Sequence, residues 1–226
     1  MSRMQTAPHT TFFATTPLCL LLALTLCACR EDPGAAAYPA ADTAGADTGP
    51  ALPQGPDPFQ EGEKRLDLGL YYEGGSSERV EINDVDTHYY IYEATYSEKV
   101  ELQDIVEGRE AAKLEVNDKG WLGGGLTWDS PRDLSGWGVL AISLRSSDPG
   151  LSELALHMQA GAEAVLPLAG YGWTPDGQWH HLRVPMADFA AGGANLSAVT
   201  GPYVLIGAGG APGDTLTIDD LYIEEG

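Results

Sequence analysis

From residue 66 onward, apolar side chains alternate with polar ones at every second position. The clearest runs are residues 140–144 and 154–158, and turn-forming clusters such as NDKG, SSDPG and TPDG separate such runs. This alternation is typical of a strand with one face in a core, whereas an amphipathic helix repeats at about 3.6 residues. The pattern therefore predicts an all-β fold, an antiparallel sandwich or barrel, with single helical turns at 186–191 and 195–199.

We expect one domain over residues 63–226, because the strand pattern continues to the last residues without an internal repeat. A chain of this length can bury roughly 70% of its unfolded surface. All three cysteines, Cys19, Cys27 and Cys29, precede the predicted domain. The predicted domain therefore has no disulfide bond, thiol nucleophile or thiolate metal site.

The N-terminus has the features of a bacterial export signal. Arg3 lies in a polar start, and residues 17–28 form an apolar run too short to span a bilayer as a mature helix. The sequence LCAC ending at Cys29 resembles a lipobox, which implies a signal peptide over 1–28 and a lipid on Cys29. The alternative is an ordinary secretory signal cleaved nearby. Residues 29–62 are rich in Ala, Pro and Gly and predict a disordered linker between the bilayer and the domain.

The net charge restricts the possible partners. The formal charge is −21, and removal of residues 1–28 would take away one base and no acid, which gives −22. A surface of this sign repels nucleic acid and anionic membranes. We therefore expect no nucleic-acid partner, and we expect tolerance of cations and neutral ligands.

Three segments occur in the order found in a known family. They are GWLGGGLTWDSPRDLSGWGVLAISLRSS (120–147), DGQWHHLRVPMADF (176–189) and TLTIDDLYI (215–223). Together they resemble the jelly-roll carbohydrate-binding modules of the galactose-binding-like sandwiches, over roughly residues 88–226. The resemblance implies two antiparallel sheets, in many members a sugar-binding concave face, and often one structural calcium ion.

Candidate glycan ligands are outward-facing polar side chains and aromatic rings. Strand parity turns Arg145, His157 and Gln159 outward, on strands that we expect to be neighbours. Trp121 shares a face with two glycines, which would leave room for its ring to lie flat. Tyr171 and Trp173 lie in a Gly-rich loop. The alternative for each tryptophan is packing in the core or at an edge.

The resemblance also implies the positions of calcium ligands. These are Glu93 at the end of one strand, Glu107 before the next long strand, and Asp219 on the last strand. Glu73 could replace Glu93, and strand parity predicts that Asp220 faces the other way. The alternative is that these are solvated acids on an acidic protein.

Catalytic signatures are absent from the sequence. It contains no G-x-S-x-G elbow, no H-E-x-x-H helix and no phosphate loop before a helix. His180 and His181 are adjacent on a predicted strand, so they face opposite sides and cannot bind one ion together. The sequence therefore favours a non-catalytic glycan-binding lipoprotein of the cell envelope. The alternatives are a structural or adaptor lipoprotein that binds a protein, and an enzyme with an unrecognised cleft.

Overall fold

The structure is a computed structural model that describes residues 58–226. The predicted signal peptide, Cys29 and most of the predicted linker lie outside the described residues. Within the described part, no helix is long and apolar enough to cross a membrane.

Twelve strands and one short helix form the described part of the chain. The strands are β1 (Arg65–Asp67), β2 (Glu78–Arg79), β3 (Thr87–Ile91), β4 (Tyr96–Glu101), β5 (Ala111–Val116), β6 (Leu122–Trp128), β7 (Val139–Arg145), β8 (Leu154–Ala160), β9 (Ala162–Pro167), β10 (His180–Pro185), β11 (Gly201–Gly207) and β12 (Thr215–Glu224). The helix α1 (Met186–Ala191) follows β10, and 3-10 turns lie at Tyr92–Ala94, Pro149–Leu151, Leu168–Tyr171 and Leu196–Ala198. Both helical turns expected from the sequence are present.

The strands form two sheets. Sheet A has seven strands, with β10, β7 and β12 side by side. The other edge of β12 pairs with β5 near its start and with β1 near its end, so the sheet forks into the branches β5–β4 and β1–β2. Sheet B has five strands in the order β3-β6-β11-β8-β9. From β5 onward the chain changes sheet at every connection except the β8–β9 hairpin, which is the connectivity of a jelly roll.

The predicted all-β fold is therefore confirmed as a jelly-roll β-sandwich. All strand pairs are antiparallel except β1 with β2. Residues 66–87 do not form a separate hairpin beside the sandwich, since β1 and β2 are parallel. The two short strands of this segment instead extend sheet A, because β1 pairs with the end of β12.

The core lies between the two sheets. Alternate residues of the central strands point into it, as the period-two pattern predicted; for example, Leu140, Ile142 and Leu144 of β7 are fully buried. In β11 the core-facing residues are Tyr203 and Leu205, while Val204 and Ile206 lie on the outer face of sheet B. Burial of a large apolar side chain contributes about 1.5–3 kcal/mol to the free energy of folding, so this core is the main source of stability.

A β-bulge interrupts β12 where sheet A forks. Asp219 pairs with Ser143 and Tyr222 pairs with Ala141, so β12 contains one more residue than β7 over this stretch. The extra residue is Asp220, whose φ is 55°. A positive φ is uncommon for a residue with a side chain, although Asp and Asn tolerate it best.

Candidate functional site

The outer face of sheet B presents a group of three aromatic rings at one side. Tyr90 of β3 pairs with Gly125, Tyr92 follows the end of β3, and Trp121 precedes β6. The ring centroids of Tyr90 and Tyr92 are 4.9 Å apart, and those of Tyr92 and Trp121 are 6.2 Å apart. All three rings are partly exposed, so they form an aromatic surface that a ligand can contact.

Gly123 and Gly125 of β6 lie on the outer face beside these rings and form a floor without side chains. A Cβ at Gly123 would overlap the Trp121 ring and would come within 3.0 Å of Tyr92 and Ile206. The Trp121 ring therefore lies over the place where Gly123 has no side chain, as we predicted from the sequence. A Cβ at Gly125 would meet the backbone of β11, so that position also requires glycine.

Polar groups lie at the other side of the same face. His157 and Gln159 project outward from β8, and Glu163 projects from the edge strand β9. His157 Nδ1 lies 3.1 Å from Glu163 Oε1. Tyr90 and His157 are three strand spacings apart, because the intervening register positions are Gly125 and Val204, and this distance is roughly 14 Å.

The five strands of sheet B contain no lysine or arginine. Glu163 is the only carboxylate on them, and His88 and His157 are the only histidines. The face is therefore aromatic and neutral-to-acidic, with hydrogen-bonding side chains at one end.

Two sequence predictions for this face are wrong. Arg145 does not lie beside His157 and Gln159, since its strand β7 belongs to sheet A and pairs with β10 and β12. Arg145 instead forms an ion pair with Asp104 at 2.7 Å. Trp173 is buried in the core, and its Nε1 donates to Leu151 O at 2.8 Å.

Tyr171 is also separate from the aromatic surface. It ends the 3-10 turn after β9, and its hydroxyl donates to Asp188 Oδ2 at 2.8 Å. Burial and this acceptor raise the pKa of Tyr171 to about 12. The structure therefore gives Tyr171 a structural contact at the edge of the sandwich.

A cluster of three carboxylates lies on the outer face of sheet A. One oxygen each of Glu107, Asp219 and Asp220 lie within 4.8 Å of one another. Asp219 and Asp220 are fully buried. The prediction that Asp220 faces the opposite side is wrong, because the bulge places it on the same side as Asp219 and breaks the alternation.

The two aspartates of the cluster have unusual proton affinities. Desolvation raises the pKa of Asp219 to about 6, against the opposing effect of backbone N–H groups from Val106, Glu107 and Asp220. Desolvation raises the pKa of Asp220 to about 7, and the charges of Asp219 and Glu107 add to it. Asp220 Oδ1 is buried and has no hydrogen-bond partner. A buried, unpaired carboxylate oxygen is costly, and a hard cation with oxygen ligands would remove this cost.

The loop between β4 and β5 carries Glu107 to the cluster. The N–H groups of Val106 and Glu107 donate to Asp219 Oδ2 at 2.8 and 3.2 Å. Glu107 Oε2 also accepts the N–H of Glu73, while the Glu73 carboxylate accepts N–H groups of Arg109 and Glu110. Glu73 thus fixes the loop and does not join the acid cluster.

Glu93, the third predicted calcium ligand, is also outside the cluster. It lies in the exposed 3-10 turn after β3, with a φ of 47°. Of the predicted set, the structure brings Glu107 and Asp219 together and adds Asp220. Glu107 also lines a pocket of about 320 Å³, together with Arg65 and Tyr72 among others.

Ser143 connects the cluster to His181. The Ser143 hydroxyl donates to Asp220 Oδ2 at 2.7 Å and lies 2.9 Å from His181 Nδ1. Since the serine proton is used for Asp220, His181 Nδ1 is the donor to Ser143. In a nucleophilic triad the histidine lies between the serine and the acid, whereas here the serine lies between the other two. Ser143, His181 and Asp220 therefore do not have the geometry of such a triad. His180 faces the other side of the strand, where it contacts Asp176 and Trp173.

Sequence reasoning missed Tyr90, Tyr92, Glu163 and Asp220. The alternation in THYYI could have placed Tyr90 outward, because Tyr89 and Ile91 carry the core side of β3. Glu163 follows from its pairing opposite Gln159, which requires knowledge of the β8–β9 hairpin. The sequence carries no signal for the position of Asp220 beyond the pair of aspartates in TIDDL.

Comparisons with known proteins give distant structural similarities. No family model and no curated protein matches this chain. The family 30 carbohydrate-binding module of a cellulosomal cellulase of Clostridium thermocellum aligns with a TM-score of 0.48 and 19% identity, over 62% of this chain and 91% of that one. The family 11 module of the same organism, in complex with a β-1,3-1,4-mixed-linked tetrasaccharide, aligns with a TM-score of 0.45 and 16% identity, over 71% and 94%. An exo-β-agarase aligns with a TM-score of 0.41 and 14% identity, over 63% of this chain and 23% of its own length.

Proposed function

We propose that this protein is a non-catalytic glycan-binding lipoprotein of the bacterial cell envelope, whose outer face of sheet B binds the glycan. The observation that carries the proposal is the group of Tyr90, Tyr92 and Trp121 beside a floor of glycines. Aromatic rings stack on the apolar faces of pyranoses, and the partial exposure of these three rings leaves them available to a ligand.

The polar side of the face would bind sugar hydroxyls. His157, Gln159 and Glu163 provide planar groups that donate or accept hydrogen bonds. Because roughly 14 Å separates Tyr90 from His157, a ligand that uses both sides must be an oligosaccharide. The sequence resemblance to carbohydrate-binding modules supports the same interpretation.

Calorimetry of the purified protein with soluble oligosaccharides, chosen from a glycan-array screen, tests this function. Trp121→Ala should weaken binding by roughly tenfold or more, since a stacked aromatic anchor contributes on the order of 1–3 kcal/mol. Tyr171→Phe is the matched control, because this aromatic residue lies away from the face and keeps its ring. Unchanged binding by a folded Trp121→Ala variant would refute the role of this face.

A protein partner is the second candidate. Absence of binding to every glycan tested, together with capture of a defined envelope protein by the outer face of sheet B, would favour the adaptor function. The location at the envelope rests on the LCAC sequence at Cys29 and is tested separately through the lipid itself.

We also propose that Glu107, Asp219 and Asp220 hold one structural calcium ion. The support is the unpartnered Oδ1 of Asp220 inside a buried group of carboxylates. The ion would attach the β4–β5 loop to the last strand of sheet A, and it would take no part in chemistry on a ligand.

A further inference from the structure

The fork in sheet A contains a cleft of about 530 Å³. It lies between the segment after β1 and the β4–β5 hairpin, and none of its lining residues belongs to sheet B. Its size is within the range of pockets that bind small molecules. The residues that the inference uses are Tyr71, Arg79, Glu98, Lys99 and Arg109.

The basic side chains of this cleft are already neutralised. Arg79 forms an ion pair with Asp67 at 3.3 Å, and Arg109 forms one with Glu73 at 3.3 Å. The amine of Lys99 lies 2.7 Å from Glu115. These three positive charges are therefore compensated before any ligand enters the cleft.

The carboxylate of Glu98 has a different environment, because its partners are uncharged. The hydroxyls of Tyr71 and Tyr89 donate to Glu98 Oε2 at 2.8 and 2.7 Å, and Tyr96 Oη lies 2.7 Å from Tyr89 Oη. Burial raises the pKa of both Tyr71 and Tyr89, so the two hydroxyls remain protonated donors. Neither contact uses Oε1.

This arrangement holds one negative charge in a fixed orientation at the wall of the cleft. Two phenol groups orient the carboxylate, and Tyr71 and Tyr72 are among the residues that line the cleft. Aromatic faces attract cations, and the net charge of −21 also attracts cations at long range.

We propose that the fork cleft binds a small organic cation, with an amine or ammonium group against Glu98 and the ring of Tyr71. This site is separate from the glycan face, and it would exist whether or not the protein binds a glycan. The chemical class is a di- or polyamine or a quaternary ammonium compound.

Calorimetry of the full-length protein with 1,4-diaminobutane and with choline tests the proposal. Saturating calcium is present throughout, so that the acid cluster at Asp219 does not bind the amine. We expect saturable binding of at least one probe at one site. Glu98→Gln should weaken it at least tenfold, because glutamine keeps the acceptor for both tyrosines and loses only the charge.

Asp118→Asn is the matched control, since Asp118 is an exposed acid in the turn before β6. Non-saturable binding, or equal weakening in both variants, would show general attraction to an acidic surface and would overturn the proposal. If Glu98→Gln does not fold, amide chemical shifts of the wild-type protein decide. Shifts on adding the probe should concentrate at residues 69–73 and 98–112, and shifts elsewhere alone would also overturn it.

Discussion

Asp220→Asn should stabilise the protein in the absence of calcium and should lose most of that advantage in the presence of calcium. Burial raises the pKa of Asp220 from 3.8 to about 7, so at pH 8 the folded protein holds an ionised carboxylate in an unfavourable site. A raised acid pKa means that the folded state binds the proton more tightly than the unfolded state. The destabilisation caused by the ionised carboxylate is therefore absent below about pH 4, grows as the pH rises towards 7, and is complete at pH 8.

The size of this effect follows from the shift of the pKa. About three pKa units at 1.36 kcal/mol each give on the order of 4 kcal/mol, which is an upper limit for the gain from asparagine at pH 8. Asparagine also tolerates the positive φ of this position and can still accept the proton of Ser143. For a domain of this size, 1 kcal/mol changes Tm by roughly 2–4 °C.

Differential scanning calorimetry measures both effects. In chelator at pH 8, Asp220→Asn should melt several degrees above the wild type, and the difference should vanish near pH 4. With calcium at a hundred times its Kd, the wild type should gain about 2.7 kcal/mol, whereas the variant should gain little. Asp118→Asn is the control and should change neither condition. A lower Tm for Asp220→Asn in chelator at pH 8, or a wild type that does not respond to calcium, would refute the reasoning.

Three further predictions concern the core, the sheet and the anchor. Trp173→Ala should destabilise the protein by about 3–5 kcal/mol in urea unfolding, because the ring is buried, and a loss below about 1 kcal/mol would contradict this assignment. Gly124→Ala should cost about 1–3 kcal/mol in the same assay, since the added Cβ would overlap the Tyr96 hydroxyl, and unchanged stability would count against the packing described. Mass spectrometry of the mature protein should find a diacylglycerol group on Cys29 and no earlier residue. A soluble product that begins elsewhere would exclude the lipid anchor.

The sequence predicted the fold well because one physical rule governs most of it. Burial of one face imposes the period of two, and Leu154, Leu156 and Met158 follow it and line the core. It also placed the Trp121 ring over Gly123 correctly. Both results depend only on neighbours along one strand.

The errors at the candidate sites arise from information that lies between strands. Parity correctly turned Arg145 and His157 outward, but it could not tell that their strands belong to different sheets. Trp173 lies in a Gly-rich loop, and its burial depends on how that loop packs against Leu151. Strand parity gave the wrong side for Asp220, because the bulge adds one residue to β12 that has no partner on β7.

The same bulge sets the phase of everything that follows it. Leu221 and Ile223 reach the core, and Tyr222 reaches the outer face, because the bulge turns Asp219 and Asp220 to the same side. A regular ladder that kept Asp220 would exchange the two faces over the rest of the strand. Tyr222 would then point between the sheets, and two fully buried aliphatic side chains would point to the outer face. Deletion of Asp220, in contrast, would remove the bulge, and residues 221–224 would keep their faces and their partners on β7. The bulge thus lets the strand carry an additional acid without any change to the residues that follow it.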